Sequence, residues 1–251
     1  MANISNKAQQ MPASAIRKLV PFADAAKKEG VKVYHLNLGQ PDIKSPACAL
    51  EAIKNYSKEN ISYSHSAGLM ELRQGLVEKY YKNIGIDITV DELIVTVAGS
   101  ESVNLALEIA CDPGDEVLVL EPFYTNYNTF AFMNELTLKA IPTDIRKGFQ
   151  IPDIEEFEKA ITPKTKAILI CNPGNPTGTQ YSKESMLALG EIARKHDLFL
   201  LSDEVYREFC YTDEPHFSAM NIPGLEQNVI LIDSVSKRYN QIGRASCRER
   251  V

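Results

Sequence analysis

Val229-Ile230-Leu231-Ile232-Asp233-Ser234-Val235-Ser236-Lys237 is the stretch from which the rest of the chain can be read. Its first four residues form a continuous apolar run, the pattern of a strand buried on both faces. Such a strand delivers the next few residues to the rim of a sheet, so Lys237 is expected there. Serines one and three positions before it offer hydroxyls to an anion. Alone, the string fits a solvated turn equally well, and the upstream segments must decide.

Working back, a regular alternation begins near Asp91. Apolar runs at 93–97, 117–120, 136–141, 167–171 and 198–201 read as strands. Helices are expected from Gly99 through Cys111, after Tyr124 to Asn134, from Asp153 past Ile161, and from Ser182 to His196. Asp153 and Glu156 have the spacing of a capping box. Short apolar strands between amphipathic helices predict a three-layer α/β/α fold around a mostly parallel sheet. Nearer the N-terminus, residues 33–39 alternate like a strand and end in the turn Gly39-Gln40-Pro41-Asp42. Ser45 and Pro46 read as N-cap and first residue of a helix through Ile53. A second helix is expected over 68–82, with Leu69, Leu72, Leu76, Val77 and Tyr80 on one face. Ile16, Leu19, Val20 and Phe22 form a short apolar docking face.

Composition narrows the class. The chain has 251 residues, 44% hydrophobic and 24% charged, with a net charge of −6. That is globular, and it argues against a nucleic-acid partner. No apolar run reaches membrane-spanning length, and residues 1–10 lack an apolar leader, so a cytoplasmic protein is expected. Five scattered cysteines form neither metal-ligand pairs nor a disulfide ladder, so a reduced compartment and no metal are expected. Cys171 and Cys210 lie in apolar runs and read as core.

The unusual residues fall just after the carboxyl ends of strands: Gly99-Ser100-Glu101, Tyr124, Asn175, Asp203 with Tyr206, and Lys237. In open parallel sheets that rim binds ligands. Gly99-Ser100-Glu101 opens a helix whose N–H groups favour phosphate, though any helix start looks the same. Asp203 leaves a dry strand and suits a protonated heterocyclic nitrogen; its bland reading is an N-cap or ion pair. Tyr206, three residues on, could reach the same ligand's oxygen. Asn175, in Asn172-Pro173-Gly174-Asn175-Pro176-Thr177-Gly178, is held in a loop stiffened by prolines. Tyr124 could lay its ring on a flat ligand, or simply pack. A lysine beside bound phosphate suggests a phosphorylated carbonyl cofactor.

In this order and spacing, the segments resemble the fold-type I pyridoxal-phosphate enzymes, specifically class I/II aminotransferases. The strongest pieces are 172–178, 201–206 and 234–237; Asn37 to Asp42, and Tyr63 with Gly68, Leu72 and Arg73, are also similar. The resemblance covers about 11–240 and implies transfer of an amino group between an L-amino acid and a 2-oxo acid. It implies that Lys237 forms the Schiff base and shuttles the α-proton, with Asp203 on the pyridinium nitrogen. Tyr206 and Asn175 would meet the ring oxygen, and Tyr124 would stack on the ring. Ser100, Ser234 and Ser236, with the backbone of Gly99 and Glu101, would hold the phosphate. Tyr63 would reach the phosphate of a second subunit in a homodimer. Gly39 and Asn175 would meet the substrate, and the segment around Ile16 would line the entrance.

The pattern also breaks. The family's phosphate-binding arginine is expected eight residues after the lysine, where this chain has Ala245. Residues 241–251 show no periodicity and read as an atypical tail, from a truncated or misassembled reading frame. The division expected is 1–46, an N-terminal arm with part of a small domain; 47–240, the large cofactor-binding domain; and the tail, with most of the small domain missing and activity impaired. The alternatives are a carbon–sulfur lyase or decarboxylase on the same fold, or a non-catalytic fragment. A dinucleotide-binding dehydrogenase is excluded because no Gly-x-Gly-x-x-Gly comes after the first strand.

Overall fold

The apolar runs become strands β1 (Ile94–Thr96), β2 (Glu116–Glu121), β3 (Thr137–Pro142), β4 (Thr165–Cys171), β5 (Phe199–Asp203) and β6 (Val229–Ser234). The structure is a computed structural model and describes residues 2–12, 17–37, 39, 41–57, 59–60, 62–241 and the backbone of 247–249. With β7 (Cys247–Glu249) the strands form one sheet in the order β1-β7-β6-β5-β4-β2-β3. The neighbours from β6 through β3 all pair in parallel. β7 is antiparallel to both β6 and β1, so β1 points the same way as the parallel five. The carboxyl ends of β1, β2, β4, β5 and β6 therefore share one edge.

The helices are α1 (Asn6–Gln10), α2 (Val20–Lys28), α3 (Ala47–Lys54), α4 (Met70–Leu76), α5 (Gly99–Ala110), α6 (Tyr127–Met133), α7 (Ile154–Ala160), α8 (Lys183–Lys195) and α9 (Val235–Arg238). Alternation along each strand sorts the core into two layers. Val117, Val119, Leu169, Leu201, Ile230 and Ile232 pack with Val103, Leu107, Tyr127 and Phe130 of α5 and α6. Leu118, Leu120, Ile168, Ile170 and Leu200 pack with Phe157, Met186, Leu189 and Ile192 of α7 and α8. This is the expected three-layer α/β/α arrangement. A smaller cluster of Leu76, Tyr81, Ile86, Ile88 and Leu93 closes on Leu231.

Three local expectations are corrected. Residues 31–36 form no strand, because their alternating side chains have no paired neighbour: Tyr34 and Leu36 are exposed. The helix expected over 68–82 stops at Leu76 and continues as a π-type turn, Val77–Tyr81. Leu69 and Leu72 face outward, while Arg73 and Leu76 are buried; the wider turn then sets Tyr81 into the core. Asp153 precedes α7 without any side-chain cap, whereas Ser182 does cap α8 by accepting from Ser185 N. Of the tail, the backbone of 247–249 lies as β7 between β6 and β1. Gly68 has a requirement of its own: φ is +96°, and a Cβ there would come within 2.6 Å of Val95 Cβ.

Before Arg73 no described residue is buried. Phe22 of α2 is 74% exposed. α1 reaches the body through Lys7, whose Nζ donates to Met133 O at 2.8 Å and Glu135 Oε1 at 2.9 Å.

Candidate active site

Asp203 ends β5 on the sheet face covered by α5 and α6, and is 6% exposed. Tyr127 donates its hydroxyl to Asp203 Oδ2 at 2.7 Å, and Val205 N donates to Oδ1 at 3.3 Å. Both donors are neutral, and no cation lies within ion-pair distance among the described residues. Burial therefore dominates and raises the Asp203 carboxyl to about 6. The neighbouring buried carboxylates behave oppositely. For Glu204, burial pushes upward but Arg207 and His216 more than offset it. For Asp233, burial is likewise overcome, by Arg207 and Arg238. Of three buried acids, the one at the expected ligand position is the one left without a cation.

The other candidates gather around it. Asn175 Nδ2 donates to Tyr206 Oη at 3.5 Å, so the two groups assigned to one ligand oxygen face each other. Burial raises the Tyr206 phenol to about 12, so it is a hydrogen-bond donor at neutral pH. Lys237 Nζ lies 5.8 Å from the centre of the Tyr206 ring. Tyr124 stands edge-on to Tyr127, with ring centres 5.4 Å apart, and accepts from Asn126 Nδ2 at 2.7 Å. Burial also raises the Tyr124 phenol. Gly99 begins α5 facing Ser234: a Cβ on Gly99 would stand 3.9 Å from Ser234 Cβ. Ser234 Oγ accepts from Ser236 N at 3.1 Å, which orders the turn before Lys237. Gly99 and Ser234 thus face each other where the 12-residue helix α5 begins, with Ser100 next along the helix and exposed, and Ser236 tied to Ser234.

Some expectations fare differently. Glu101 gives its backbone N–H to Ala98 O at 2.8 Å and turns its carboxylate back to Val97 N, so it faces the strand end and its own N–H is already taken. Gly39 is exposed with nothing within 4 Å of where its Cβ would be, and Tyr63 is 105% exposed; neither joins the cluster. Ile16 and Ala245 lie outside the described residues. Cys171 is buried, as expected for core, and Cys210 is half-buried.

Sequence reasoning missed Tyr127, Glu204, Arg207, Asp233 and Arg238. For Tyr127 a signal existed: it stands three residues after Tyr124 at a helix start, one turn along the same face. The ionic residues gave none, since their meaning depends on which strand lies beside which.

An acid, an amide, a phenol and a lysine thus lie along one edge of the sheet of a three-layer fold, and comparison with known proteins names the family. The family model for aminotransferase class I and II matches residues 31–247, and the chain belongs to that family. It is similar to the aspartate/prephenate aminotransferase of Thermus thermophilus, at 33% identity over 97% of this chain and 62% of the relative. It is also similar to the putative aminotransferase YugH of Bacillus subtilis, at 36% identity over 96% of this chain and 61% of the relative. Among solved structures, the Thermus thermophilus aspartate aminotransferase with maleate superposes with a TM-score of 0.90 and 32% identity, over 100% of this chain and 65% of that one. An alanine aminotransferase from Pyrococcus furiosus gives 0.87 and 33%, over 99% and 63%. The chain thus spans less than two thirds of these relatives. Among the described residues, no helix is long and apolar enough to cross a membrane, and no His/Cys/Asp/Glu group could hold a metal ion.

Proposed function

We propose that this chain carries the cofactor-binding part of an aminotransferase that moves an amino group between an L-amino acid and a 2-oxo acid. Pyridoxal 5′-phosphate is the cofactor the residues fit. The observation that carries this is the buried Asp203 carboxylate, which meets only neutral donors and is raised to about 6. A pyridinium N–H would supply the missing cation. Asn175 and Tyr206 would hold the ring oxygen, and Tyr124 would cover the ring. Gly99 and Ser100, at the start of α5, would take the phosphate with Ser234 and Ser236. The cofactor, when bound, supplies an electron sink for charge developing at the substrate's α-carbon.

The protein's own steps are then few. Lys237 would hold the cofactor through its ε-amino group. Once displaced by substrate, it would take and return the α-proton. Asp203 would keep the ring nitrogen protonated. Gly39 and Asn175 would orient the substrate, and Tyr63, exposed here, would act toward a second subunit of a homodimer. The names of the relatives favour acidic substrates, and the reaction would run in the cytoplasm.

The test is borohydride reduction of the protein mixed with pyridoxal phosphate, followed by peptide mapping. The expected result is a reduced adduct on Lys237; an adduct confined to other lysines refutes the assignment. Stoichiometric 2-oxo acid from an amino-acid panel would then establish transfer, whereas pyruvate with ammonia would establish elimination.

A further inference from the structure

Lys237 stands third in a helix of four residues. A single turn has no stability of its own, so something outside it must hold the lysine's backbone. The residues flanking it do so. Asp233 Oδ1 accepts from Arg238 Nη2 at 2.6 Å and from Ser234 N at 2.7 Å, and Oδ2 accepts from Tyr81 Oη at 3.0 Å. Arg238 lays its guanidinium 3.9 Å from the centre of the Tyr80 ring and gives Nε to Glu208 Oε1 at 3.2 Å. Tyr80 donates to that same oxygen at 2.6 Å. The chain is thus closed into a loop across Lys237, and the ion pair closing it is dry, with side chains 5% and 1% exposed.

A second dry pair lies on the next strand end. Arg207 Nη2 donates to Glu204 Oε2 at 2.8 Å. Glu204 is further held by Ser218 Oγ, Ala219 N, Ser202 Oγ and His216 Nε2. Arg207 also acts electrostatically on Asp233, which links the two pairs. The layout comes from alternation. On β5, Leu201 and Asp203 share the α5/α6 face, and Glu204, the next residue, takes the other. On β6, Ile230, Ile232 and Ser234 share the α5/α6 face, and Asp233 takes the other. Ligand-facing and ion-paired residues therefore sit back to back on both strand ends.

We propose that Asp233 and Arg238, coupled to Glu204 and Arg207, are positioning residues that fix Lys237 against Asp203 and Tyr206. The proposal rests on Lys237 being the reactive amine. Buried, hydrogen-bonded pairs suit this task, since their geometry is narrow and breaking one leaves an unpaired buried charge.

Three variants test it: Arg238→Met, Arg238→Lys and, as a remote control, Glu158→Gln. Amide hydrogen exchange over 234–238 is read without cofactor, and the share of borohydride-trapped pyridoxal phosphate on Lys237 is read with it. Arg238→Met is expected to speed exchange there by about tenfold, with exchange in β4 and α8 unchanged. It should lower the Lys237 share of trapping about tenfold. Arg238→Lys should restore part of both, and Glu158→Gln should leave both as in the parent. Unchanged exchange over 234–238 in Arg238→Met overturns the proposal, as does faster exchange with the Lys237 share intact. If Arg238→Met does not fold, Arg238→Lys, which keeps the cation but loses the fork, carries the same readouts. Should the parent protein itself trap nothing on Lys237, the functional assignment fails, and the exchange result still decides whether Arg238 orders the turn.

Discussion

α2 and α8 are both amphipathic helices, yet they end in opposite circumstances. α8 buries Met186, Leu189, Ile192 and Ala193 against the sheet, while α2 buries nothing and leaves Phe22 exposed. The difference extends to whole regions: nothing described before Arg73 is buried, and nearly all the core lies after it. An apolar stripe specifies only that a helix has a side to cover. Whether it is covered depends on a facing surface, which α8 has in β4 and β5 and α2 lacks among the described residues.

The largest expected effect is proteolytic. Limited proteolysis should cut within residues 17–60 on the order of 100-fold faster than within 165–235. Comparable rates in both regions would mean that the first has found a partner surface in solution. Core truncation sharpens the contrast: Phe157→Ala should cost about 3–5 kcal/mol in urea denaturation, and Phe22→Ala less than about 0.5 kcal/mol. Arg207→Met should cost about 3 kcal/mol, because it leaves the buried Glu204 without its guanidinium and with only His216 and neutral donors beside it. Without cofactor, Asp203 should act in the opposite sense. Its folded-state pKa is raised to about 6, so the stability it contributes is present below about 4 and is lost as pH rises through about 6. The loss is ~3 kcal/mol. Asp203→Asn should therefore be the more stable protein at pH 7 and lose that advantage at pH 4, as measured by denaturation at the two pH values; equal stability at pH 7 would mean that Asp203 finds a cation in solution. Smallest is Lys159→Ala, which breaks an exposed pair with Glu156 and should leave the urea denaturation midpoint where it is in the parent.

How much was legible tracks the same divide. Strands β1 to β6 and the helices covering them were readable, because continuous apolar runs and helical stripes report burial directly, whereas β7 lies in the tail that showed no periodicity. That Lys237, Asp203, Tyr206, Asn175 and Tyr124 would fall along one edge was readable, because strand ends in a parallel sheet share it. The alternation of 33–39 misled, since a strand needs a partner that periodicity cannot supply. The π-type turn at 77–81 was invisible, because it answers to the fit of Tyr81 under Asp233 rather than to any local preference. Arg238 carried no local signal; its side chain is nearly covered because it pairs with Asp233 and reaches Glu208, 30 residues away.

The back-to-back arrangement of Asp203 and Glu204 makes this strand end intolerant of frame errors. Adding or deleting one residue within β5 would rotate every later side chain to the opposite side of the sheet. Glu204 would then face α5 and α6, and Asp203 would be thrust toward Ser218 and His216. Two adjacent acids that look interchangeable on paper could each be conservatively replaced at some cost, but they could not trade places.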